Sequence, residues 1–133
     1  MWSIYNKKNM YHWQNKSILI VDDISMNQLL LKHILQQTKV NLFYAINSIQ
    51  FFKIIDKYYF DLILMDINLN ESLNGIDLIK YLQSNEYNIP IIIQSANDCD
   101  VFDIVVDDCI QKPIDSIVLL DKINKIFETY RYM

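Results

Sequence analysis

From Ser17 onward the chain alternates short, continuously apolar stretches with segments whose apolar residues recur at helical spacing. Ile18 to Val21 is an unbroken apolar run, which reads as a strand covered on both faces. It stops at Asp22-Asp23, and Ser25 is placed to cap a helix in which Leu29, Leu30, Ile34 and Leu35 recur through about Gln37. Val40 to Ala45 reads as a strand and Ile49 to Tyr58 as a helix with Phe52, Ile55 and Tyr59 on one side. Phe60 to Met65 is a strongly apolar strand that ends at Asp66. The polar loop from Asn68 closes on Asn74-Gly75, a turn signal, and Ile76, Leu78, Ile79 and Leu82 mark a short helix. Ile89 to Ile93 makes another strand, with Pro90 tolerated near its beginning. No period dominates 97–108. A last strand ends in Ile110, and Ile117, Leu120, Ile123, Ile126 and Phe127 form the stripe of a final helix. Strand and helix thus alternate five times, which predicts an α/β fold: a five-stranded, doubly wound parallel sheet with helices on both faces.

Composition narrows the class. Of 133 residues, 52% are hydrophobic and 21% charged, with a formal net charge of −4. That length predicts one domain, able to bury about two-thirds of its unfolded surface without disulfide or metal. One glycine and two prolines exclude collagen-like chains, and the apolar content excludes disorder. The apolar runs are too short to span a bilayer, and Lys7 and Lys8 interrupt where a signal peptide needs an apolar centre. The acidic balance argues against nucleic acid as a partner. Cys99 and Cys109, without a nearby His, make a poor zinc site and read as free thiols in a reducing cytosol. The expectation is a soluble, cytoplasmic domain with no membrane partner. Residues 1–15, with Trp2, Tyr5, Tyr11 and Trp13 at no clear period, read as an N-terminal extension; 16–133 form the domain.

Right-handed crossovers and a topological switch point put ligand chemistry at the C-terminal ends of the strands. Those ends carry Asp22 and Asp23, Asp66, Ser95 and Lys112. Carboxylates converging at one edge stay ionised only with positive charge among them. Mg²⁺ suits such a place, taking oxygen ligands while sharing its coordination with phosphate. Carboxylate, divalent cation, hydroxyl and ammonium around one centre are the equipment of in-line phosphoryl transfer, with an aspartate as the acceptor.

Each residue also has a plainer reading. The Asp22-Asp23 pair could cap the next helix, Asp66 could form a turn, Ser95 could be a loop hydroxyl and Lys112 a solvated charge. Asn74-Gly75 could be a turn and nothing more. What these readings leave unexplained is the conjunction, with each residue at its own strand end.

At these residues the chain resembles the receiver domain of two-component response regulators, across roughly Lys16 to Phe127. "ILIVDD" at 18–23, "DLILMDI" at 61–67, "IIIQSA" at 91–96 and "QKPI" at 111–114 follow the order of that family's four motifs. The stretch "ILIVDDISMNQLLLKHIL" is similar to receivers carried by hybrid sensor kinases. The resemblance implies a flavodoxin-like strand order 2-1-3-4-5 and a phosphoacceptor at Asp66, fed by a histidine kinase or phosphotransfer protein. It implies Mg²⁺ held by Asp23 and Asp66, with Asp22 acting mostly through water and the backbone carbonyl of Asn68 completing the protein ligands. Ser95 would hydrogen-bond the phosphoryl group, Lys112 would pair with it, and the Lys112–Pro113 peptide bond would be cis. Such a chain is a signalling domain rather than an enzyme acting on other substrates.

Three departures stand out. Cys109 occupies a position where the family carries Tyr or Phe. The interval from Ser95 to Lys112 is several residues short, so the helix between the fourth and fifth strands is expected to be shortened or irregular, with Asp107-Asp108 replacing a small-residue turn. The loop after Asp66 lacks the customary proline and is one residue longer before Gly75. Phosphorylation chemistry is therefore expected to survive with an altered relay.

Rival readings fare worse. A haloacid-dehalogenase-type phosphatase needs Asp-x-Asp on the first strand, where Ile24 takes the second position. A flavodoxin needs a Ser/Thr/Gly phosphate loop where Asp22-Asp23 would repel a flavin phosphate. A receiver fold kept only as a binding module is the stronger alternative, favoured by Cys109 and the short fourth segment. The stretch after Pro113 accommodates one helix and no DNA-binding module, so output would pass to an unidentified downstream protein from a stand-alone receiver. Homodimerisation is common in the family, and the oligomeric state stays open.

Overall fold

The structure, a computed structural model, describes residues 11–69, 72–96 and 104–132. Five parallel strands, β1 (Ser17–Val21), β2 (Asn41–Ala45), β3 (Leu62–Asp66), β4 (Ile91–Ser95) and β5 (Asp108–Gln111), lie in the order β2-β1-β3-β4-β5. Four helices pack on them: α1 (Ser25–Leu35), α2 (Ser48–Ile55), α3 (Gly75–Ser84) and α4 (Ser116–Thr129). The expected sheet and strand order are thus present. Among the described residues the β4–β5 connection contains no helix, and residues 97–103 lie outside the described set.

Side chains alternate across the sheet as strand geometry requires. Ile18, Ile20, Leu62, Leu64, Ile92 and Ile110 face α1 and α4 in one core. Leu19, Val21, Ile63, Met65, Ile91 and Ile93 face α2 and α3 in the other. Trp13 belongs to the first core, nearly buried, with its ring edge-on to Phe127 at 5.1 Å and stacked on Tyr11 at 5.2 Å. The segment at 11–16 is therefore tied to the domain, while residues 1–10 lie outside the described set.

Several helix faces differ from the sequence reading. In α1 the buried residues are Leu31, Ile34 and Leu35, while Leu29 and Leu30 point outward. Three successive leucines leave the helical phase ambiguous, and packing on the sheet selects the third. In α2 the buried side is Ser48, Phe51 and Ile55, with Tyr59 beyond the helix and exposed. In α4 Leu119 takes the buried place expected of Ile117, which is exposed. The expected Ser25 cap is also displaced: Ile24 is the N-cap, without a side-chain bond, and Ser25 is the first helical residue.

The carboxylates at 107 and 108 anchor the shortened β4–β5 connection. Asp107 accepts hydrogen bonds from the Ile91 N–H at 2.9 Å and the Tyr130 hydroxyl at 2.6 Å, and Asp108 pairs with Lys122 at 2.9 Å. The Asp107 bond, then partial burial and the Asp107 charge, push the Tyr130 phenol up to about 12. A folded value above the unfolded one, near 10, means this contribution is fully present below pH 10 and lost as pH rises through 12. Tyr130→Phe is expected to remove the late-ionising phenol from an ultraviolet titration. It should also flatten the fall in unfolding free energy between about pH 10 and 12. Loss instead of a phenol that ionises near the ordinary value of about 10 would mean that the Asp107 bond is not made.

Candidate functional site

The strand pattern that builds the α1/α4 core also aims the polar residues that follow it. Asp22 continues the Ile18–Ile20 side of β1, Asp66 ends the Leu62–Leu64 side of β3, and Lys112 follows Ile110 just past β5. Because β1, β3, β4 and β5 are consecutive neighbours, these side chains converge at one edge. Lys112 Nζ lies 3.2 Å from Asp66 Oδ2 and 3.8 Å from Asp22 Oδ2. One oxygen from each of Asp22, Asp23 and Asp66 falls within 4.8 Å of the others. Four of the expected residues are thus brought together. Ser95 is buried at the end of β4, and its backbone carbonyl accepts from the Lys112 N–H at 2.7 Å. The Lys112–Pro113 peptide bond is cis, as expected.

Local hydrogen bonds hold the carboxylates. Asp66 Oδ1 accepts from the Asn68 N–H at 3.0 Å, so the loop after β3 wraps its own acid, and Asp22 Oδ1 accepts from the Ile24 N–H at 2.9 Å. The helix-capping reading of Asp22 is thereby met in part, since Ile24 is the N-cap of α1. Gln28, on α1, donates to the Asp22 carbonyl at 2.8 Å and ties the helix to the edge. Asn74-Gly75 does not form the expected turn. Asn74 caps α3 in a reciprocal box with Asp77, and Gly75 is the first residue of that helix, its N–H donating to the Ile67 carbonyl at 3.2 Å.

The electrostatics call for a cation. Burial pushes the Asp22 carboxyl above the usual carboxylate range; the Ile24 N–H pulls it back, Asp66 raises it further, and Lys112 and Asn27 lower it. One ammonium among three carboxylates leaves net negative charge in a largely dehydrated place. Mg²⁺ binds oxygens at about 2.0–2.1 Å, so oxygens around it lie about 3–4 Å apart. One oxygen from each of Asp22, Asp23 and Asp66 lies within 4.8 Å of the others, somewhat wider than that shell, so the three carboxylates would have to draw in slightly to hold such an ion. A cavity of about 850 Å³ lined by Tyr59, Tyr87, Val105 and Tyr130 lies at the opposite edge, a strand length from these acids.

Two features were not anticipated. Gln94, from the apolar-looking "IIIQSA", is fully buried, and neither amide atom has a hydrogen-bond partner. Exposed aliphatic side chains also gather toward the same edge: Ile24, Ile46, Met26, Ile49 and Ile117 on loops and first helical turns, and Leu29 one turn further along α1. The surplus of leucines in α1 was their signal in the sequence. The free-thiol expectation is corrected as well. Cys109 is disulfide-bonded, and no free cysteine occurs among the described residues; Cys99 lies outside them. Spacing along the chain says little about which thiols meet, because pairing depends on distance across the fold.

A five-stranded parallel sheet in this order, with helices on both faces, is a flavodoxin-like fold, here with carboxylates and a lysine at the C-terminal edge. The family model described as "Response regulator receiver domain" matches residues 18–124, and the chain belongs to that family. Among solved structures, the signal receiver domain of a signal transduction histidine kinase from Syntrophus aciditrophicus superimposes with a TM-score of 0.79 at 24% identity, over 89% of this chain and 94% of the other. The N-terminal domain of a response regulator/sensory box/GGDEF three-domain protein from Carboxydothermus hydrogenoformans gives 0.78 at 24%, over 88% and 98%. The chemotaxis protein CheY4 of Vibrio cholerae gives 0.74 at 19%, over 84% and 98%. No curated protein matches the chain in sequence. Among the described residues, no helix is long and apolar enough to cross a membrane.

Proposed function

We propose that the chain accepts a phosphoryl group on Asp66, in a Mg²⁺-dependent reaction, from the phosphohistidine of a histidine kinase or phosphotransfer protein. It then signals through a protein partner. The observation that carries this reading is the convergence of Asp22, Asp23 and Asp66 within 4.8 Å, with Lys112 Nζ 3.2 Å from Asp66 Oδ2. The Asn68 N–H fixes one Asp66 oxygen, leaving the other as the nucleophile beside the ammonium. Attack on phosphorus forms the acyl phosphate as the bond to the donor imidazole nitrogen breaks, and the imidazole departs with the electron pair. Lys112 pairs with the phosphoryl oxygens and Ser95 hydrogen-bonds one of them. Asp23 and Asp66 would hold Mg²⁺, with Asp22 acting through water and the Asn68 carbonyl completing the set. Bound there, the ion supplies charge neutralisation between carboxylate and phosphoryl oxygens. The reading also puts the chain in the cytoplasm, where ATP feeds such donors.

The test is incubation with acetyl phosphate, read by intact mass beside Asp66→Ala. One phosphoryl adduct that needs Mg²⁺, survives acid, is lost in base and is absent from the variant is the expected result. No adduct under conditions that label an ordinary receiver would favour the binding-module reading instead.

The exposed aliphatic side chains support a protein rather than a small molecule as the physiological donor, because they lie toward the edge of the sheet that carries the acids. Leu29→Glu is expected to slow transfer from a phosphorylated histidine phosphotransfer protein at least tenfold, with labelling by acetyl phosphate unchanged. Equal slowing of both donors would move Leu29 from docking to the integrity of the site.

A further inference from the structure

Lys112 starts beyond the end of β5 and its ammonium meets Asp66 on β3, so its stem passes over β4, the strand between them. The β4 residue in register with Asp66 is Gln94, which is itself paired with Ile110, two positions before Lys112. Gln94 follows Ile92 on the α1/α4 side of the sheet, the side that carries Asp66. Its amide therefore lies on the side of the sheet that the lysine crosses, fully buried, with Oε1 and Nε2 both unpartnered. Such a group is rare in folded proteins and costly where an apolar residue of the same size would fit. The lysine ammonium has three donors, directed so far at Asp66 and Asp22.

We propose that Gln94 is a positioning residue for Lys112: its Oε1 accepts a hydrogen bond from the lysine ammonium when a phosphoryl group on Asp66 displaces that ammonium from the two carboxylates. The inference rests on the reading of Asp66 as phosphoacceptor. Such an acceptor keeps the cation over the reacting centre as the carboxylate's charge passes to phosphoryl oxygens. Gln94 touches no reacting atom and acts through Lys112 alone.

The experiment is a double-mutant cycle on the rate of labelling by acetyl phosphate and Mg²⁺, with thermal unfolding measured on every variant. Gln94→Met replaces the unpaired amide by an apolar chain of similar volume, so the folded state is expected to keep or gain stability. Labelling is expected to slow about fivefold, the worth of one lost hydrogen bond. Gln94→Asn, with the amide withdrawn by one methylene, should fall between Met and wild type, and serves if the Met variant folds poorly. In the Lys112→Met background, Gln94→Met should slow labelling no further. A Gln94→Met protein that gains stability and labels at the wild-type rate would overturn the proposal, and so would additive losses in the double variant. Wild-type protein that takes no phosphoryl group would instead sink the phosphoacceptor reading, and this inference with it.

Discussion

Lys112→Met is expected to slow labelling of Asp66 by acetyl phosphate about 100-fold while Mg²⁺ binding persists or tightens. The two effects have opposite signs because the ammonium plays two parts. Toward the phosphoryl group it is a fixed positive charge where negative charge accumulates, and one such group is worth about 10²–10³ in rate. Toward a divalent cation it is a competitor for the same carboxylates, 3.2 Å from Asp66 and 3.8 Å from Asp22. Its removal also pushes the buried Asp22 carboxyl further up, since Lys112 is among the groups that hold it down. Breaking a buried pair by deleting one partner costs about 3–5 kcal/mol where nothing replaces it. Here a proton or a cation can take the vacated place. Thermal unfolding of the variant should therefore show a loss in EDTA that is largely recovered in Mg²⁺. Labelling at the wild-type rate would remove Lys112 from the transfer step, and a loss that Mg²⁺ does not recover would break the link between lysine and cation.

The site was legible in the sequence for a geometric reason. A parallel sheet puts every strand's C-terminus at one edge, so Asp22, Asp23, Asp66 and Lys112 needed only correct strand ends to be brought together. Continuous apolar runs closed by an acid mark those ends well. Helical phase was harder to read. Leu29, Leu30 and Leu31 satisfy two phases equally, and the exposed pair became visible only once the sheet selected Leu31. Gln94 was hidden by the opposite problem: in a strand covered on both faces every position is buried, so period 2 cannot flag one polar residue among isoleucines. Asn74-Gly75 carries the same two residues whether it makes a turn or starts a helix. What decided it was Asp77, three positions on, closing the capping box.

Gly75→Ala is expected to destabilise the fold by about 3 kcal/mol and to slow phosphorylation, against the ordinary sign of that substitution. At a helical position with permissive backbone, Gly→Ala stabilises by about 0.4–1 kcal/mol through the unfolded chain's entropy. Gly75 sits at the first turn of α3 without a positive φ, so its backbone alone would accept alanine. The obstacle is space: an added Cβ would lie 2.3 Å from the Asp66 carbonyl oxygen, 2.6 Å from Ile67 Cα and 2.9 Å from the Asp66 carbonyl carbon. All three are main-chain atoms, so no side chain can rotate away. Relief requires α3 to withdraw or the end of β3 to move, and that end carries Asp66 and the Asn68 N–H that orients it. Asn74→Ala separates the two consequences. It removes the α3 cap and costs about 1 kcal/mol, yet pushes nothing against Asp66, so labelling should hold at the wild-type rate. If Gly75→Ala and Asn74→Ala slow labelling in proportion to stability lost, the glycine serves α3 alone. If Gly75→Ala slows labelling far beyond that proportion, the close approach of α3 to the Asp66 backbone is what keeps the carboxylate in place for transfer.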